Sequence, residues 1–207
     1  ALRDYYNKWY RPDLQAVVIV GDVDVNVIES QIKRLFGGLS LPPNAPRRRY
    51  YPVADNKRMI THVMRDAEQP IALAHLYMKR DVKPTSVRSS ERYQQEIYEH
   101  DLICLMLNER LSKQQSGAKA PFTAASVKDG KFLIVQTKKA FSLSVSCKSD
   151  QIEAGLSAAV GLLEQARQWG FTTGELTRAK GILRNKAERC NNQRGQLANH
   201  HYVKQCL

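Results

Sequence analysis

The chain has 207 residues, enough for one or two packed domains. At 43% apolar and 25% charged it has the composition of an ordinary globular protein, which excludes wholesale disorder. No apolar run reaches the roughly 20 residues that a membrane helix needs, and no signal-peptide pattern opens the chain.

In chain order, Leu2 to Tyr10 reads as an aromatic-rich helix, stopped because Pro12 disfavours helical geometry at Arg11. Ala16-Val17-Val18-Ile19-Val20 reads as a buried β-branched strand, and Gly21-Asp22-Val23-Asp24 as the turn out of it. Asn26 with Glu29 offers a capping box to a second helix, on which Val27, Ile28, Ile32, Leu35 and Phe36 share a face. Gly37-Gly38 closes it. Residues 39–58 carry prolines and charges without an apolar period, which marks a connector. The net charge of +12 permits a polyanionic partner, but the basic residues are spread along the chain. The tight cluster Arg47-Arg48-Arg49 sits beside Pro42, Pro43 and Pro46, as a solvated linker would.

Beyond the connector, Met59 to Met64 and Ile71 to Met78 read as strands, the second apolar on both faces and therefore central. Glu91 to Gln115 reads as a long helix with Ile97, Cys104, Leu107 and Leu111 near one face. Phe122 to Val127 is strand-like, and Asp129-Gly130 signals a turn into a third stretch, Phe132 to Gln136. Phe141, Leu143, Val145 and Cys147 then alternate with Ser142, Ser144, Ser146 and Lys148, a strand with one dry and one wet face. Asp150 and Glu153 offer a cap to a helix bearing Ile152, Leu156, Val160 and Leu163, ended by Gly170. Thr172 and Glu175 offer another, after which Leu176, Ala179, Leu183, Ala187, Cys190 and Leu197 continue a stripe almost to the end. This order predicts an α+β fold: a two-layer domain with a mixed, mostly antiparallel sheet and helices on one face. A parallel sheet covered on both sides would lack the serine face of the Phe141 strand.

The residues carry no catalytic constellation. None of His62, His75, His100, His200 and His201 has a glutamate and a second histidine at zinc-binding spacing. His200 and His201 are adjacent, so on a helix they point about 100° apart and cannot chelate as an i, i+4 pair does. No G-x-S-x-G, Walker or dinucleotide glycine pattern appears. Cys104 follows His100 by one helical turn, a spacing that suits a packing contact. Cys104, Cys147 and Cys190 fall on apolar faces, and a Cys190–Cys206 disulfide would require a break in the last helix.

Three stretches, taken in order, carry a resemblance. The first is Tyr10-Arg11-Pro12-Asp13 with the apolar run ending in Gly21-Asp22-Val23-Asp24. The second is Leu107-Asn108-Glu109-Arg110-Leu111 with Pro121-Phe122, and the third is Gly170-Phe171-Thr172-x-x-Glu175-Leu176-x-x-Ala179-Lys180. Together they resemble the pitrilysin family of zinc metallopeptidases, which includes the mitochondrial processing peptidases and insulin-degrading enzymes. The resemblance implies that residues 1–38 close a preceding α/β domain by helix, strand and helix. It makes 39–58 a linker and 59–207 a second α+β domain, cut at its C-terminus. The chain starts inside a helix and stops at Cys206-Leu207 without a helix-ending signal, as an excised segment would.

In that family the metal motif H-x-x-E-H lies in the first domain, upstream of Ala1. The resemblance therefore implies zinc for the parent protein, with no cofactor, metal ligand or catalytic residue in this segment. It implies a non-catalytic part of a metalloendopeptidase that lines a peptide-binding chamber and contacts the missing catalytic domain or partner half, inactive when alone. Peptide or unfolded polypeptide would be the substrate, with no nucleic-acid partner. By the resemblance the family's peptide-contacting arginine falls near Gln115 or Ser116 and its tyrosine near Phe122, with Arg110, mainly structural in the family, a further candidate. Arg110 matches the helix-end arginine, but serine and phenylalanine replace the arginine and tyrosine of active members, and a phenylalanine has no hydroxyl to stabilise an oxyanion. Bacterial relatives suggest a periplasmic or cell-envelope address. One alternative is a structural, catalytically inactive protease-like subunit. Another is a basic nucleic-acid-binding α+β module, for which Tyr77, Phe132 and Phe141 would supply the rings but the basic glycine-aromatic run is missing.

Overall fold

The computed structural model describes residues 1–41, 44–47, 50–117 and 119–206. Pro42, Pro43, Arg48 and Arg49 of the basic, proline-rich cluster lie outside the described residues, as does Leu207. The chain divides into two compact units, residues 1–49 with 188–207, and residues 50–187.

In the first unit, helix α1 (Leu2–Trp9) stops before Arg11, whose extended backbone leads Pro12–Leu14 into a single 3-10 turn. Arg11 is 4% exposed; its guanidinium donates to the Pro46 carbonyl and the Asp13 carboxylate, both at 2.8 Å. Ala16–Val20 corrects the expectation of a buried strand: the segment pairs with no strand among the described residues, and Val17 and Ile19 are exposed. A strand needs a neighbour for its backbone hydrogen bonds, and this unit contains none among its described residues. Helix α2 (Val25–Phe36) starts two residues earlier than the Asn26 box implies. Asp24 is the cap, its carboxylate accepting from the amides of Asn26 (2.8 Å) and Val27 (3.1 Å). Glu29 instead pairs with Lys33.

The second unit is built on a three-stranded antiparallel sheet in the order β1-β3-β2, from Ala72–Asp81 (β1), Ala124–Lys131 (β2) and Lys138–Cys147 (β3). Four helices complete the chain: α3 (Glu91–Gln115), α4 (Ile152–Trp169), α5 (Thr173–Asn192) and α6 (Asn199–Cys206). The alternating strand is the centre, so the strand expected there, β1, is an edge. Leu143, Val145 and Cys147 of β3 are buried with Val127, Leu107, Leu111, Phe122 and Ala159 in one core. Each full burial of such a side chain contributes about 1.5–3 kcal/mol. Ser142, Ser144 and Ser146 point to the other face, and the α+β fold with helices behind one sheet face is as the alternation requires.

Four local expectations fail. Met59–Met64 is exposed and pairs with no strand among the described residues, because alternation specifies a face and not a neighbour. Asp129-Gly130 lies inside β2, opposite Phe141 and Ala140, and the chain reverses over Phe132–Thr137, where a third strand was expected. The Asp129 carboxylate is taken by Arg80 and His100, so it is not free to build a turn. At α4 the cap position falls on Gln151 and no Asp150–Glu153 box forms. The last stripe is two helices, broken over residues 193–198 after Asn191-Asn192, where turns replace the helical bonds. Even with that break Cys190 is a free thiol.

Candidate functional site

The most specific sequence step, Gly170-Phe171-Thr172-x-x-Glu175, forms a helix-end lock. Gly170 leaves α4 at φ +69°, a conformation that glycine adopts without strain. The predicted capping box then forms. The Thr172 amide donates to Glu175 Oε2 (2.8 Å), and the Glu175 amide donates back to Thr172 Oγ1 (3.3 Å). Onto this box comes Arg110 from α3. Its Nε donates to Glu175 Oε1 (2.6 Å), and its Nη2 donates to Oε2 (2.9 Å) and to the Gly170 carbonyl (2.9 Å). The guanidinium also lies over the Phe171 ring at 4.8 Å. The Arg110 hydrogen bonds are the main reason that the Glu175 carboxyl is pulled down to about 2, against an opposing effect of burial. Arg178 and Lys113 hold Glu109 beside it, along a shallow groove of about 570 Å³. Each of these cations already has a carboxylate, so the groove offers no free charge.

The three motif-mapped positions are thus placed differently. Arg110 is half-buried and committed to the lock. Phe122 is 3% exposed, inside the core. Ser116 is exposed at the end of α3, its hydroxyl donating to the Ser112 carbonyl (2.9 Å).

The sheet face away from the helices is open. The register places Leu73, His75, Tyr77 and Lys79 of β1 beside Ser146, Ser144, Ser142 and Ala140 of β3, with Ala124, Ser126, Lys128 and Gly130 of β2 on the other side. His75 Nδ1 bonds the Ser144 hydroxyl at 2.9 Å. The His75 and Tyr77 rings stack at 6.1 Å, and Phe132 meets Tyr77 edge to face at 5.4 Å. One end of this face is strapped by the connector. Lys79 donates to the Ala54 carbonyl (3.0 Å), and Lys138, 4% exposed, binds the carboxylates of Asp55 (2.8 Å) and Asp81 (2.7 Å). Those two carboxylates hold the Lys138 ammonium above its ordinary value.

Two clusters had no signal in local sequence. Arg80 Nη2 donates to Asp129 Oδ1 (2.6 Å) and His100 Nδ1 bonds Oδ2 of the same carboxylate, which ties β1, β2 and α3 together. Cys104 lies beside them, its thiol pushed up to about 11 by burial and then by the Asp129 charge, so it is a packing residue and not a nucleophile. The Lys138 strap joins residues 83 and 57 positions apart, beyond any local pattern. Among the described residues no group of three or more His, Cys, Asp or Glu side chains is placed to hold a metal ion. No helix among them is long and apolar enough to cross a membrane.

The family described as the peptidase M16 inactive domain matches residues 1–183. The probable zinc protease PqqL of Escherichia coli (strain K12) is 24% identical over 181 residues, covering 86% of this chain and 19% of that protein. The crystal structure of the periplasmic protease PqqL from Escherichia coli superposes with a TM-score of 0.81 at 20% identity, over 99% of this chain and 22% of that one. A predicted insulinase family protease from Yersinia pestis gives 0.72 at 17% identity, over 99% of this chain and 43% of its own. The chain thus spans about a fifth of the length of the protease PqqL.

Proposed function

This chain belongs to the peptidase M16 inactive-domain family, and from that premise we propose that it forms a non-catalytic wall of a zinc-dependent metalloendopeptidase. It lines a peptide-binding chamber and docks against the partner half, and alone it neither binds zinc nor cleaves peptide. The observation that carries this reading is the one-sided sheet. Helices α3 and α4 cover one face, while the serine face of β3, the solvated side of an antiparallel sheet, is left free to line a chamber.

Residues 1–38 close a preceding α/β domain in this reading. Supporting it, Leu2, Tyr5, Tyr6 and Trp9 of α1 and Leu35 and Phe36 of α2 are large apolar side chains left exposed. Residues 39–58 bridge to the second domain, 59–207, strapped to its sheet at Ala54 and Asp55. Of the motif-mapped positions, Ser116 is the one that offers an exposed group to a peptide, while Arg110 and Phe122 serve the frame. The zinc belongs to the parent protein, and the periplasmic address of PqqL extends to this chain by the same reading.

The test compares the full protein that carries this chain with the chain alone. Peptide hydrolysis by the full protein is zinc-dependent and falls with Ser144→Trp, which fills the open face, while its circular dichroism stays unchanged. The chain alone releases no product. Chelator-sensitive hydrolysis by the chain alone, or full activity in Ser144→Trp, would overturn the reading.

A further inference from the structure

The reversal between β2 and β3 has a composition that turn chemistry does not ask for. Phe132 is anchored edge to face on Tyr77, and the chain then exposes Leu133 at 59% and Ile134 at 97%. Leu133 holds φ +50°, a left-handed conformation costly for leucine and ordinary for glycine or asparagine. Two large apolar side chains therefore stand in water at the tip of a hairpin, where glycine or polar residues would fold more readily.

Cations flank this tip on both faces of the hairpin. Lys131 and Lys139, at the two ends of the reversal, stand directly opposite each other in the register, and Arg80 stands opposite Lys139 on its other side. Like charges so placed repel. Among the described residues neither Lys131 nor Lys139 has a carboxylate partner; Lys139 donates to the Tyr93 hydroxyl at 2.9 Å. Lys128, on the serine face, leans towards the same end, its Cε 3.6 Å from where a Cβ on Gly130 would lie. The carboxylates here are taken, Asp129 by Arg80 and His100, Asp55 and Asp81 by Lys138. Lys79, Arg80, Lys128, Lys131, Lys138 and Lys139 are thus six cations against those three carboxylates.

We propose that this hairpin tip docks the protein on an anionic lipid surface. Leu133 and Ile134 enter the interface between headgroups and acyl chains, and Lys128, Lys131 and Lys139 meet the headgroup phosphates. The excess of positive charge selects a negative partner, and the apolar tip selects lipid among negative partners. Acyl chains accept an isoleucine without a shaped pocket, whereas a nucleic acid offers phosphates but no apolar receptor. Two inserted side chains make a shallow, reversible anchor, so apolar and cationic parts are both needed. The proposal is independent of the chamber-wall reading.

The test is sedimentation of the full protein that carries this chain with vesicles of phosphatidylcholine, either alone or with about one third phosphatidylglycerol. Binding to the anionic vesicles exceeds binding to the neutral ones at least about tenfold and falls as salt rises. Lys131→Ala lowers it about fivefold, and Ile134→Ser lowers it at least about tenfold. Leu133→Asn suits the left-handed backbone, so it weakens binding while stability in urea is kept or raised, which separates lost docking from lost folding. Equal binding to both kinds of vesicle, binding to neither, or wild-type binding by Ile134→Ser and Leu133→Asn overturns the proposal. Slow hydrogen exchange at the Leu133 and Ile134 amides of the full protein without vesicles would assign the tip to a protein partner, and overturns it too.

Discussion

Replacing Glu175 by glutamine tests whether the lock at the end of α3 is electrostatic or merely a packed hydrogen-bond cluster. The carboxyl lies at about 2 in the folded chain, against about 4.3 in an unfolded one. That difference stabilises the fold by up to about 3 kcal/mol at neutral pH. Solvent on the open side of the groove screens part of it, leaving about 2 kcal/mol dependent on charge. Because the folded value is the lower one, this stability is present above the unfolded value and is lost as pH falls from about 4.3 towards 2. Glu175→Gln keeps the size and one acceptor for Thr172 but removes the charge. The variant should therefore unfold about 6 °C below the wild type at pH 7, at about 2–4 °C per kcal/mol for a chain of this length. Urea denaturation followed by circular dichroism at pH 7, 5 and 3 reads the gap directly. It should be nearly constant down to about pH 5 and less than half as large at pH 3. A gap of equal size at pH 7 and pH 3, or none at pH 7, would refute the electrostatic account.

Gly155 has no room for a methyl group: an added Cβ would lie 2.2 Å from Cys147 Sγ and 2.8 Å from the Pro121 carbonyl. Gly155→Ala should lower stability by about 1–3 kcal/mol in urea, and adding Cys147→Ala should restore part of it, since only the sulfur clash is relieved. Asp24→Ala removes the cap of α2 and should cost about 1 kcal/mol, seen as faster hydrogen exchange at the Asn26 and Val27 amides. Alkylation by iodoacetamide at pH 8, mapped by mass, should mark exposed Cys190 well before half-buried Cys104 or buried Cys147, whose thiols are pushed up and stay protonated. Prompt native labelling of Cys104 would contradict its place in the core.

What the sequence made legible is what a few neighbouring residues decide. The bounds of α3 follow from its period, and the serine alternation places the dry face of β3. The Thr172–Glu175 box forms because its two halves are one helical turn apart. What it concealed depends on partners. Ala16–Val20 and Met59–Met64 have the composition of strands, yet a strand exists only where a second backbone accepts its hydrogen bonds, and no local pattern names that neighbour. Asp129-Gly130 is a turn signal until Arg80 and His100, 49 and 29 residues away, take the aspartate. At α2 Asp24 and Asn26 are both good caps two residues apart, and only geometry selects Asp24.

The same division runs through the candidate site. Of the positions that the family motif picks out, Arg110 clamps Glu175 from 65 residues away and Phe122 fills the core beneath β3. The open face is made of Lys79, Lys128, Tyr77 and a serine row, on which the motif is silent. This follows from physical chemistry. A lock that fixes helix ends tolerates few side chains, because a half-buried arginine left without its carboxylate is strongly destabilising. A solvated sheet face tolerates many, since exchanges there change little in the core. Motif residues therefore identify the scaffold, and they say little about the positions that the scaffold leaves free.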